Sequence, residues 1–214
     1  MALLICSYHY SSSRLTLIDV LSLKGIIFDL DGTLVTSSLD FRLIREELNC
    51  PQQQDLLVFV AQLTCPKAQV QANKIIARHE YQDAQSAKPM AGMTPLFDAL
   101  ESARLPSAIV TRNSQVASTV KISNTRIPVQ LVLTREDYPP KPAPDALLAI
   151  AELWQLEPAS LLYVGDYLYD IQAAHNAGMQ SCFINHGHSK DYQHQADLVI
   201  SHLAELTVLL TQAR

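Results

Sequence analysis

The sequence predicts an α/β fold, an open and doubly wound parallel sheet carrying one helical insertion. Three observations carry that expectation. Short runs rich in Ile, Val and Leu recur along the chain and read as strands buried on both faces. Longer stretches with Ala, Leu, Glu and Gln at helical spacing separate them. One long stretch, 37–88, has no strand pattern at all. The alternation places helices on both sides of a parallel sheet, and the exceptional stretch stands outside that rhythm.

The expected strands are Gly25–Leu30, Ser107–Thr111, Val129–Leu133, Leu161–Val164, Gln180–Ile184 and, shorter, Leu198–Ile200. The expected helices between them cover about 93–103, 114–122, 143–154, 168–177 and 202–212. The insertion reads as three helices, Asp40–Leu48, Gln52–Leu63 and Pro66–Gln85, with Pro51 and Pro66 placed to open the second and third. Pro89 and Gly92 close it. The domain plan is therefore an N-terminal extension over 1–23, a Rossmann-like core over 24–36 and 89–214, and a helical unit over 37–88. Within the extension, Arg14–Leu23 alternates weakly and is compatible with an edge strand or a loose segment.

Composition narrows the function classes. The chain has 214 residues, 48% of them hydrophobic, which supplies a sizeable core. Its 16 basic and 21 acidic residues leave a net charge of -5 with no long basic run, so a nucleic-acid partner has no electrostatic footprint. The cysteines Cys6, Cys50, Cys65 and Cys182 form no Cys-x-x-Cys pair, and a reduced, cytoplasmic setting is expected. The start is apolar but short and lacks the marks of a signal peptide. No apolar run is long enough for a bilayer, so no membrane partner is expected.

The chemistry is concentrated at strand ends. The run Ile26-Ile27-Phe28-Asp29-Leu30-Asp31-Gly32-Thr33-Leu34-Val35 sets two carboxylates at the carboxyl end of a buried strand, where open α/β sheets bind ligands. Period-two geometry turns Asp29 and Asp31 to one side, a placement that is unfavourable unless a cation bridges them or one is protonated. An ordinary strand end with an Asp-Gly turn would read the same way. A second strand, Leu161-Leu162-Tyr163-Val164, runs into Gly165-Asp166, with Asp170 one helical turn on. Two acidic clusters at strand ends suit one octahedral Mg2+ with oxygen ligands, although an Asp at either position also serves as a helix cap. Ile109-Val110-Thr111-Arg112-Asn113-Ser114 passes from strand to helix start, an arrangement that cradles phosphate or merely caps a helix. Finally, Pro139-Pro140-Lys141-Pro142-Ala143-Pro144 fixes the direction of Lys141 in a stiff turn.

These four segments, in this order, resemble the haloacid dehalogenase-like hydrolase superfamily. The resemblance runs from about Lys24 to the C-terminus and rests on Asp-x-Asp-Gly-Thr-Leu, a strand-end Thr, a Lys-Pro and Gly-Asp-x-x-x-Asp in register. An insertion after the first strand matches that superfamily's first type of cap domain and resembles its phosphoglycolate phosphatase-like branch. Ser38–Pro51 and Gly165–Met179 resemble a small-cap subset.

The resemblance implies a magnesium-dependent phosphatase acting on a small phosphorylated metabolite, phosphoglycolate-like or a sugar phosphate. It implies Asp29 as nucleophile and Asp31 as acid/base, and Asp29, the Asp31 backbone carbonyl and Asp166 as metal ligands, with Asp170 adjoining. It implies Thr111 and Lys141 as phosphate-holding groups, beside which Arg112 and Asn113 are counted as phosphate-binding. Asp31 must carry a proton when the ester oxygen leaves and lose it when water attacks. A carbon–halogen bond needs no such acid, so Asp31 favours phosphate chemistry. In the cap, Phe41 and Arg45 are candidate substrate contacts, Arg45 reaching an anion or lying on the surface. His186, His188 and His194 are expected in a solvated loop. A phosphosugar mutase of the same fold and a non-catalytic binding or regulatory module are the competing readings. Monomer and homodimer both stay open.

Overall fold

The computed structural model of the chain describes residues 22–212. Most of the N-terminal extension, with Cys6 and most of the Arg14–Leu23 stretch, lies outside them. The core is a six-stranded parallel sheet. Its strands are β1 (Gly25–Phe28), β2 (Ser107–Val110), β3 (Val132–Leu133), β4 (Leu161–Gly165), β5 (Gln180–Ile184) and β6 (Leu198–Ile200), in the order β3-β2-β1-β4-β5-β6. The chain winds outward from β1 through β2 to β3, then crosses back to lay β4 on the other side of β1. The crevice at the carboxyl ends of β1 and β4 is therefore the switch point of the sheet, where open α/β folds bind ligands.

Period-two alternation in β1 supplies both faces. Ile26 and Phe28 join an apolar cluster with Leu96 and Leu100 of α4 (Met93–Ser102) and with Leu206 and Leu210 of α8 (Leu203–Gln212). Ile27 points the other way, into a cluster with Leu147 and Ile150 of α6 (Asp145–Trp154) and Ala173 and Ala174 of α7 (Leu168–Asn176). The β2–β3 crossover is α5 (Gln115–Thr125), whose Ile122 packs against the first cluster. Phe28 is fully buried, and its truncation to Ala is a loss of roughly 3–5 kcal/mol by the usual cost of removing a core aromatic.

Strands β5 and β6 have the expected bounds, whereas β1 to β4 differ by a residue or more at one end. The sheet pairing of β1 stops at Phe28, yet the Asp29 amide still donates to Val164 at 2.8 Å, so Asp29 is held in line with the strand. At the edge, β3 is only Val132–Leu133 rather than Val129–Leu133, although the Ile109 amide still donates to the Leu131 carbonyl at 2.9 Å.

Residues 37–88 fold as α1 (Phe41–Leu48), α2 (Leu56–Ala61) and α3 (Pro66–Ser86). They bury an apolar cluster of their own, made by Ile44, Cys50, Leu56, Val60, Ala72 and Ile76. Pro51 does not open α2. That helix starts at Leu56, where the Asp55 carboxylate accepts from the amides of Leu57 and Val58, a better start than a Gln run offers. The outgoing and returning segments run antiparallel side by side. Val35 bridges Pro89, and the Thr36 amide donates to Lys88 at 2.8 Å.

Candidate active site

Four short segments converge at the crevice. The Leu30–Val35 turn folds tightly, Leu34 and Val35 amides both donating to the Leu30 carbonyl at 2.9 and 3.0 Å. Gly32 sits at φ 72, and a Cβ there would fall 2.3 Å from Asp166 Oδ2. Glycine is required on both counts. Gly165 makes the same kind of room, since a Cβ would lie 2.2 Å from Asp170 Cγ. The two glycines are the space into which the two carboxylates fit.

At the centre is Lys141, only 4% exposed. Its Nζ donates to Asp29 Oδ1 at 2.7 Å, Asp170 Oδ1 at 2.6 Å and the Tyr163 hydroxyl oxygen at 2.8 Å. Asp170 uses its second oxygen to accept from the Tyr167 amide at 2.9 Å, so it starts α7 and holds Lys141 together. One oxygen each from Asp29, Asp166 and Asp170 lies within 4.8 Å of the others.

Three carboxylates against one ammonium leave excess negative charge in a buried place. Burial pushes Asp29 up to about 7, with Asp170 and Asp31 adding to the push and Lys141 opposing it. Burial likewise drives Asp166 up to about 8, assisted by Asp29 and Asp170 and again opposed by Lys141. Lys141 itself is raised, because Asp170 and Asp29 outweigh the burial that would lower it. Such an all-oxygen donor set with excess negative charge fits a hard divalent cation.

A cavity of about 420 Å3 opens over this cluster. Asp31, Thr111, Lys141, Asp166 and Asp170 line its floor. Leu39, Phe41, Ile44 and Leu56 supply an apolar wall from the helical insertion. Asp29 is not among the lining residues; its carboxylate is bonded to Lys141, which is, and its backbone continues the line of β1.

The remaining sequence-based candidates divide. Thr111 lines the floor, its hydroxyl oxygen accepting from the Asn113 amide at 3.2 Å. Asn113 turns to Asp31 instead of open space, Nδ2 donating to Oδ2 at 2.8 Å. Arg112 is committed elsewhere: it pairs with both Asp55 oxygens at 2.8 and 2.7 Å, donates to the Lys141 carbonyl at 2.6 Å and stacks on Tyr169. Arg45 lines the cavity, but its NH1 donates to the carbonyls of Pro51 and Gln54, tying the α1–α2 turn together. Phe41 is over half exposed beside the cavity. His186 is not a solvated loop residue. It is half-buried, with Nε2 2.6 Å from the Gly32 carbonyl.

A family model for haloacid dehalogenase-like hydrolases matches residues 26–184, a span that takes in every one of these strand-end residues. This chain belongs to that family. A haloacid dehalogenase-like hydrolase domain-containing protein of Arabidopsis thaliana is 30% identical over 191 residues, covering 84% of this chain and 78% of its own. An N-acetylmuramic acid 6-phosphate phosphatase of Pseudomonas aeruginosa is 25% identical, covering 89% of this chain and 96% of its own. A phosphoglycolate phosphatase of Thiobacillus denitrificans is 26% identical, covering 90% and 98%. Among solved structures, a predicted phosphoglycolate phosphatase of Haemophilus somnus shares the fold with a TM-score of 0.69 and 21% identity over 88% of this chain and 98% of that one.

In this haloacid dehalogenase-like hydrolase, sequence reasoning missed a second buried cation. Lys121, on α5, is fully buried, and its Nζ lies 2.5 Å from Asp31 Oδ1 and 2.7 Å from Asp83 Oδ2. Asp83 also accepts from the Ser38 amide at 2.6 Å, the Ser37 hydroxyl at 2.9 Å and the Ser38 hydroxyl at 3.0 Å. Although burial works against it, these donors hold Asp83 below the usual carboxylate range. Nothing in Thr119-Val120-Lys121-Ile122 signals this role; a lysine on a helix usually reads as solvated. No helix among the described residues is long and apolar enough to cross a membrane.

Proposed function

We propose that this hydrolase is a magnesium-dependent phosphatase for a small phosphorylated metabolite, working through an aspartyl phosphate on Asp29. The observation that carries the reading is the position of Lys141, which lines the cavity and is bonded at once to Asp29 and Asp170. Relatives named as phosphoglycolate phosphatase and N-acetylmuramic acid 6-phosphate phosphatase support phosphate monoester hydrolysis. The cavity volume of about 420 Å3 suits a small ester, and the helices α1–α3 serve as the cap over it.

Each residue then has a task. Lys141 fixes the Asp29 carboxylate and offsets the repulsion between two anions as phosphate approaches. Asp29 attacks phosphorus, which divides one difficult hydrolysis into two easier transfers. Asp31, on the cavity floor, gives a proton to the departing oxygen and later takes one from the attacking water. Thr111, which lines the cavity, offers its hydroxyl to a phosphate oxygen. Mg2+ would be held by Asp29, Asp166 and the Asp31 backbone, with Asp170 adjoining, and would supply positive charge against the phosphate oxygens.

The test is a panel of phosphorylated metabolites, phosphoglycolate and sugar phosphates included, assayed for free phosphate with magnesium present or chelated. Release that needs magnesium and disappears in a folded Asp29→Asn protein is expected. Undiminished release by Asp29→Asn would sink the mechanism, and a rearranged sugar phosphate in place of free phosphate would make the protein a mutase.

A further inference from the structure

Lys121 stands apart from the phosphate and metal cluster, yet it touches the residue that must handle protons. A fully buried ammonium is costly unless its partners compensate it. Here both partners are carboxylates, Asp31 at 2.5 Å and Asp83 at 2.7 Å. The two oxygens of Asp31 are thereby held separately, Oδ1 by Lys121 and Oδ2 by Asn113. With a donor on each oxygen, rotation of the carboxylate about its own axis is opposed at a residue that lines the cavity. Asp83 in turn is no free counter-ion. It lies near the end of α3, on the returning arm of the insertion, and accepts from Ser37 and Ser38 on the outgoing arm. A continuous set of hydrogen bonds thus runs from both arms of the insertion through Lys121 to Asp31.

We propose that Lys121 is a positioning residue for Asp31, locking the acid/base carboxylate in the orientation that meets the scissile oxygen, with Asp83 anchoring Lys121 to the arms of the cap. The inference rests on the phosphatase reading above. In the first step an Asp29 oxygen bonds to phosphorus, the ester P–O bond breaks, and the departing oxygen takes the proton of Asp31. In the second, a water oxygen bonds to phosphorus, its proton passes to Asp31, and the Asp29–phosphorus bond breaks. Lys121 takes part in neither bond change; it orients the carboxylate that does.

Two aryl esters that differ in the acidity of the leaving group separate this role from a structural one. Phenyl phosphate needs a proton on its leaving oxygen, whereas 2,4-dinitrophenyl phosphate releases a stable anion without one. In Lys121→Met, single-turnover cleavage of phenyl phosphate should fall roughly a hundredfold, the ordinary worth of a placed general acid. The first turnover of the dinitrophenyl ester should keep its rate, followed by a slow steady state with phosphate retained on the protein. If Lys121→Met leaves Asp83 orphaned and fails to fold, Lys121→Met/Asp83→Asn removes both charges and is read in the same way. Equal slowing of both esters, or no slowing of either, would overturn the positioning role while the phosphatase reading stands. No turnover of either ester by the unsubstituted protein would overturn both.

Discussion

Arg112 and Asp55 join the core to the insertion across the mouth of the cavity. The guanidinium belongs to the turn after β2, and the carboxylate starts α2, with 2.7 Å between them. Both side chains are about one-fifth exposed, so the pair is neither a screened surface contact nor a deeply buried one.

The first prediction concerns that pair. Asp55→Asn keeps the cap of α2, because Asn starts helices as well as Asp does, but removes the charge that Arg112 grips. A loss of about 1 kcal/mol in urea unfolding is expected, in line with a charge-assisted hydrogen bond that keeps some access to water. Proteolysis within α1–α3 should quicken at the same time. Unchanged unfolding and unchanged proteolysis would show that the pair does not hold the insertion down.

Lys141 should be the least replaceable cation. Lys141→Ala strips the ammonium from Asp29 and Asp170 and leaves buried carboxylates uncompensated. Turnover should drop by roughly a hundred- to a thousandfold, the range for removing one preorganised electrostatic group. Metal-free stability at pH 8 should fall by about 3–5 kcal/mol, the cost of breaking a buried ion pair from one side. Measuring kcat and urea unfolding on one preparation checks both.

Magnesium and protons should compete for the same oxygens. In the metal-free fold Asp29 holds its proton up to about 7 and Asp166 up to about 8, against an ordinary value of 3.8 for each. Both are acids raised above their unfolded values. Between those limits the folded state binds more protons than the unfolded one, so metal-free stability declines as pH rises through that window. On the proposed function Mg2+ would be held by the ionised carboxylates, so its stabilising effect should grow with pH. The rise in Tm at saturating Mg2+ should be larger at pH 8 than at pH 6. Equal rises would show that these two carboxylates do not receive the ion.

Much of the fold was readable because strand burial and catalytic geometry leave marks in the same place. A run such as Ile26-Ile27-Phe28 announces a buried strand, and an acid directly after it announces the carboxyl edge of a sheet. Asp29, Asp31, Asp166 and Asp170 were legible for that reason, as was Lys141 between its prolines. The partners that steady them were not. Lys121 reaches Asp31 from 90 positions away, and Asp83 reaches Lys121 from 38. Pairings of that kind depend on how α3 packs on α5, which no local period encodes. Arg112 and Arg45 both line the cavity, as an anion contact would require, but their present partners, Asp55 and the Pro51 and Gln54 carbonyls, leave no mark in the local sequence. The start of α2 was misplaced for a related reason: Pro51 is a strong opening signal, but Asp55 caps the helix and meets Arg112 as well.

The antiparallel pairing of Thr36 with Lys88 has a broader meaning. The ends of the insertion meet at one doorway in the core, so whatever is threaded between them is a closed excursion. Closing a longer excursion costs only slightly more entropy than closing a shorter one. The segment between these paired ends can therefore change in length at little cost to the folding of the sheet beneath.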